Sequence, residues 1–158
     1  MTQADPSSPA ITVSHLGLCV SDLDRALRFW CDGLGFSADE RYDLDDTMLP
    51  GLDRALEVDE GVKVVSQFIR SGGLAIELLH YSSPGVSGTP SAHRNQLGLT
   101  HVAFRTPDVD ASVARLVEHG GTVLEQTRAT LGVDLVFGRE RADAEHAAAG
   151  LADDPGLH

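Results

Sequence analysis

No stretch of this 158-residue chain holds the roughly 20 consecutive apolar residues that a membrane-spanning helix needs. The opening "MTQADPSSPA" has neither the basic start nor the apolar run of a secretion signal, so the chain is expected in the cytoplasm. Cysteine is scarce: Cys19 and Cys31 stand alone, at no zinc-knuckle or disulfide-framework spacing, and are expected to be reduced. Positive charge is also short, with 12 Lys and Arg against 24 Asp and Glu and a net charge of −12. Such a surface repels phosphate backbones and anionic lipid, which argues against nucleic acid or membrane as a partner.

The acid is concentrated. Between Asp39 and Glu60 lie nine acidic residues against Arg41 and Arg54, which reads either as a solvated loop or as a mouth that draws in cationic ligands. Residues 1–10 are polar with two prolines and are expected to form a disordered arm, with one domain expected over residues 11–150 followed by a tail at 151–158.

What the chain does contain is a repeat. "SHLGLCVSDLDRALRFW" from Ser14 and "THVAFRTPDVDASVARL" from Thr100 match at a constant offset of 86, pairing His15 with His101, Asp22 with Asp108, Asp24 with Asp110 and Leu27 with Val113. In each copy a histidine opens an apolar strand, and an acidic cap then starts a helix with apolar positions at helical spacing. "KVVSQFIR" and "LAIELLHY" follow in the first copy as a hairpin across "SGG", with a short extra helix expected in "TMLPGLDRALEV". "TVLEQTRA" and "VDLVF" follow in the second. The Ser, Pro and Gly of residues 82–96 read as a linker, so the modules are expected at 11–81 and 97–150, each β-α-β-β-β. A unit of this size cannot close a sheet alone, and two should pair.

With "HLGLCVSDLDRALRFWCDGLGF", "GLAIELLHY" and "LGLTHVAFRTPDVDASVARLVEHGG" in this order, the chain resembles the vicinal-oxygen-chelate superfamily of glyoxalases, epimerases, bleomycin-resistance proteins and extradiol dioxygenases. The resemblance implies an α+β fold of paired βαβββ modules curled into a half-barrel around a divalent metal, often completed by a second subunit. It implies His15, Glu77 and His101 as metal ligands, with zinc, nickel, cobalt, iron or manganese as the ion. The donor chemistry agrees, because imidazole nitrogen and carboxylate oxygen suit these ions. Glu77 also interrupts an apolar run, "AIELL", where a buried carboxylate needs a partner.

Alternation along the strands puts Gly17 and Cys19 on the face of His15, and Ala103 and Arg105 on the face of His101. Cys19 reads as core packing and Arg105 as a rim charge or an anion contact. His93 to Asn95 read as linker or as contacts to a partner subunit.

The family pattern ends its second module on a strand with a fourth ligand, a glutamate. Here the chain reads "VDLVFGRERADAEHAAAGLADDPGLH". Spacing lands on His146 or Ala147, with Glu145 adjacent, and the alanine-rich composition favours helix or disorder over strand. Glu145 or His146 as substitute ligand, a binding-only protein, and a non-native segment from about residue 138 all remain open at this level.

The resemblance implies a metal-dependent lyase or isomerase of glyoxalase or epimerase type, working on a small oxygen-chelating substrate with Glu77 as base, in a homodimer. The alternative is a non-catalytic protein that binds a small molecule, as bleomycin-resistance proteins do.

Overall fold

The paired aspartates of the repeat do the same job twice. Asp22 and Asp108 have extended backbone angles, and their carboxylates accept the N–H of Arg25 and of Ala111, each at 2.9 Å. Each thereby satisfies an orphan donor at the start of a helix. The computed structural model describes residues 12–90, 93–130, 134–140 and 149–153, with side chains described up to residue 128. The expected N-terminal arm, Glu145, His146 and the tail beyond Asp153 lie outside them.

In chain order the elements are β1 (Leu16–Cys19), α1 (Leu23–Leu27), β2 (Ser37–Asp45), α2 (Leu52–Leu56), β3 (Lys63–Ser71), β4 (Leu74–Ser83), β5 (Val102–Thr106), α3 (Val109–Glu118), β6 (Gly121–Thr130), β7 (Asp134–Glu140) and β8 (Ala149–Asp153). They form two four-stranded sheets of identical order, β1-β4-β3-β2 and β5-β8-β7-β6. In each sheet the first strand is parallel to the last, and the other pairings are antiparallel. The strands that the two histidines immediately precede, β1 and β5, are therefore equivalent edge strands.

Two elements differ from expectation. Ser37–Asp45, which overlaps the start of the acidic stretch, is an edge strand where the charge run read as a loop or a mouth. Ala149–Asp153 is a strand too, against its alanine-rich composition, because it docks in parallel register on β5 and antiparallel on β7. Both are cases of tertiary pairing overriding local propensity.

α1 runs on into a widened π turn, Arg28–Gly33, in which the N–H of Leu34 reaches back five residues to the carbonyl of Phe29 at 3.1 Å. The turn sends two successive aromatics, Phe29 and Trp30, into the core, each 1% exposed. Trp30 packs edge-to-face on Phe29, Phe36 and Phe104, with centroids 5.7, 5.2 and 6.3 Å apart. Such pairs each contribute about 0.5–1.5 kcal/mol beyond their buried area. Phe104 belongs to β5, so this cluster joins the modules.

α3 completes the join. Leu116 and His119 approach Gly33, where an added Cβ would lie 3.2 Å from Leu116 Cδ2, and Arg115 Nε donates to the carbonyl of Asp32 at 2.6 Å.

The shared core orients the sheets. Leu18, Ile69, Ile76 and Leu78 of the first sheet and Val102 and Phe104 of the second all pack into it. By alternation, the residues between them in each strand face the other way. His15 and Glu77 in the first module, and His101 in the second, have this opposite parity and lie on the face turned away from the helices. Among the described residues no helix is long and apolar enough to cross a membrane.

Candidate functional site

Glu77 is held by its neighbours rather than left bare. β1 and β4 run parallel with Gly17 opposite Glu77, and β3 and β4 run antiparallel with Phe68 opposite Glu77 and Ser66 opposite Leu79. Ser66 is buried and lies diagonal to Glu77, where its hydroxyl donates to Oε1 at 2.5 Å. The other carboxylate oxygen, Oε2, lies 3.2 Å from Nε2 of His15. The sequence argument that Glu77 needs a metal as partner is thus modified: serine and histidine already satisfy it. With Glu77 ionised, Nε2 is the donor in that contact.

The imidazole is fixed on two further sides. Its edge meets Phe68 with centroids 5.2 Å apart, and its Nδ1 lies 3.0 Å from Ser14 Oγ. A hydroxyl either donates or accepts. The Ser14 contact therefore persists whether Nε2 carries the proton, as against Glu77 alone, or offers its lone pair to a ligand.

The second module repeats this device at His101, whose Nδ1 lies 2.9 Å from Thr100 Oγ1. It does not repeat the carboxylate. β5 and β8 pair Ala103 with Gly150 in the same parallel relation that pairs Gly17 with Glu77. The register counterpart of Glu77 is therefore a glycine, which offers no donor side chain.

The donor set can be tested against a metal from these positions. Two ligands at about 2.0–2.2 Å from one ion and roughly at right angles lie about 3 Å apart, and the His15–Glu77 separation fits. The second-neighbour hydroxyl on Nδ1 is the support that metal-bound histidines use. The third expected ligand is not drawn in: among the described residues no three His, Cys, Asp or Glu side chains gather closely enough to hold an ion. His15 and Glu77 thus form a pre-arranged pair, and His101 stands at the equivalent place in the second sheet.

Cys19, expected in the core, is exposed, at the end of β1 on the His15 face. Tyr81, also on this face, has its phenol pushed up first by burial and then by the charges of Cys19 and Glu77. Tyr42 and Phe68 pack at 6.4 Å on the same side of β2 and β3. Arg105 is exposed.

Much of the acidic stretch is engaged in its own architecture. Asp39 and Glu40 pair with Arg70, and Arg41 holds Asp43 through two contacts at 3.1 Å. Asp45 accepts from Thr47 and from the N–H of Met48, which holds its carboxyl below the ordinary range. Asp46 accepts from the N–H groups of Asp53 and Gly61, at 3.2 and 3.3 Å. An open hollow of about 670 Å³ beside Asp46, Asp53, Asp59 and Glu60 includes neither His15 nor Glu77 in its lining.

The sequence profile of the Glyoxalase/Bleomycin resistance protein/Dioxygenase superfamily matches residues 12–149. The chain belongs to that superfamily. Within it, the chain is similar in fold to a glyoxalase family protein from Bacillus cereus, at 23% identity and a TM-score of 0.77 over 97% of this chain and all of the other. A glyoxalase family protein from Enterococcus faecalis aligns at 15% identity and a TM-score of 0.63, over 89% of this chain and 96% of that one. Glyoxalase I from Zea mays aligns at 17% identity and a TM-score of 0.58; 87% of this chain is covered, against 43% of the maize chain. No functionally curated protein matches.

Sequence reasoning missed the three hydroxyls. Ser14 and Thr100 were legible, since each precedes its histidine at the repeat offset. Ser66 was marked by being a small polar residue within the apolar "VVSQFI".

Proposed function

We propose that this superfamily member is a metal-dependent lyase or isomerase of glyoxalase or epimerase type, acting in the cytoplasm as a homodimer on a small substrate that chelates through neighbouring oxygens. The observation that carries this reading is the His15 Nε2 to Glu77 Oε2 pair at 3.2 Å, on the face turned away from the helical core. His15 and Glu77 would hold a divalent transition metal (zinc, nickel, cobalt, iron or manganese), with His101 as third ligand after a side-chain movement. Three protein donors leave positions open for substrate, as in catalytic sites. When bound, the ion supplies stabilisation of negative charge developing on a substrate oxygen.

The remaining work falls to the chain. Ser14 and Thr100 engage Nδ1 of the two imidazoles, which fixes the ring orientation and makes Nε2 the nitrogen to turn toward a ligand. Phe68 meets the edge of the His15 ring and fixes its plane. Glu77 would be the base when its Oε2 is released from the ion: that oxygen takes the proton from a carbon beside a carbonyl and returns it, a role a carboxylate fills when that C–H is acidified by the polarised oxygen. The exposed apolar side chains Val13, Leu97 and Leu99 support a second copy covering part of the molecule.

A binding-only role, as in bleomycin-resistance proteins, is the second reading, favoured by Gly150 at the counterpart of Glu77. The two separate by solvent deuterium exchange. A panel of small compounds with adjacent oxygens, incubated in D2O with zinc, nickel, cobalt or manganese, should gain deuterium beside the carbonyl with the native protein and not with Glu77→Gln. Saturable binding without exchange under every metal would establish the binding role instead.

A further inference from the structure

We infer that Ser66 is a positioning residue that makes Glu77 a one-oxygen ligand. This rests on the metal reading above but is carried by geometry of its own. Ser66 is 3% exposed on the central strand β3, in a run whose neighbours Val64, Gln67 and Ile69 are also buried. Its hydroxyl is directed at Oε1 of Glu77 from the diagonal position across the β3–β4 ladder. Water has little access to replace that donor, so the contact is held by packing on both strands.

One carboxylate oxygen is thereby occupied, and only Oε2 is presented toward His15. A carboxylate free on both sides can rotate and bind an ion through two oxygens. The serine removes that option and keeps a coordination position for substrate. An outer hydrogen bond of this kind is typically worth 10- to 100-fold in metal affinity.

The test compares the native protein with Ser66→Ala and Ser66→Thr, the second keeping a hydroxyl. Two readouts are taken: cobalt(II) affinity with the visible absorption of bound cobalt, and, without metal, the ring nitrogen resonances of His15 by NMR. Ser66→Ala should bind cobalt 10- to 100-fold more weakly, with lower absorptivity as the coordination number rises, and its His15 resonances should move. Ser66→Thr should restore both toward the native values.

Native protein that takes up no cobalt, with His15 resonances that still move in Ser66→Ala and recover in Ser66→Thr, would refute the metal reading and support the positioning. Unchanged His15 resonances and cobalt affinity in Ser66→Ala would overturn it, as would the same loss in Ser66→Thr and Ser66→Ala despite a native melting temperature.

Discussion

Gly150 occupies in the second sheet the register position that Glu77 holds in the first. The two modules share strand order, helix caps and a hydroxyl-supported histidine, and among their differences is the position where the superfamily pattern places a second carboxylate. In the proposed site the asymmetry would leave three protein donors, His15, Glu77 and His101, which turns Gly150 into a test position.

Gly150→Glu should raise cobalt affinity by about tenfold or more, since a fourth anionic donor would enter opposite Ala103 as Glu77 does opposite Gly17. Isothermal titration measures it. An unchanged affinity would mean that the position is already served by another residue.

His101→Ala should abolish retention of metal through gel filtration while leaving the fold intact. The residue is exposed just before β5 and buries little apolar surface, so the variant's melting temperature without metal should stay within a few degrees of native. Metal content comparable to native would remove His101 from the site.

Helix capping gives a pH dependence. The N–H of Arg25 holds the Asp22 carboxyl below its ordinary value of 3.8. Its contribution is therefore complete above that value and is lost as the pH falls through the lower folded value. Asp22→Ala should cost about 0.5–2 kcal/mol in urea unfolding at pH 7. The gap between native and variant should narrow in strong acid, where the native carboxyl is protonated as well. A gap that stays constant down to pH 2 would contradict the cap.

Gly121→Ala tests the turn from α3 into β6. A Cβ there would lie 2.8 Å from the carbonyl oxygen of Leu116, a backbone atom that cannot swing away. The expected loss is about 1–3 kcal/mol by chemical unfolding, as for other overpacked sites. Gly73→Ala, at a position where nothing lies within 4 Å of the added carbon, is the control and should be nearly neutral.

The first module was legible because its features are local and repeated. Asp22 and Asp108 mark helix starts by residue type, and the 86-residue offset ties His15 to His101 without any tertiary knowledge. β2 was hidden because its residues are mostly charged and exposed: an edge strand held mainly by its ladder to β3 carries no apolar alternation to read. β8 was hidden for the complementary reason, since Ala149–Asp153 gains its strand character from β5 and β7 rather than from its own side chains. Glu77 was found as an intrusion in an apolar strand, but its partners were not. The Ser66 contact depends on a diagonal register that only the paired strands define.

The central claim is that His15, Glu77 and His101 close on one ion. Crystals grown with cobalt(II), measured on both sides of the cobalt absorption edge, test it most directly. The account predicts a single anomalous peak about 2.0–2.2 Å from Nε2 of His15, one oxygen of Glu77 and a ring nitrogen of His101. No peak between these residues at saturating cobalt, or a peak bound instead beside Asp46 and Asp53, would contradict it.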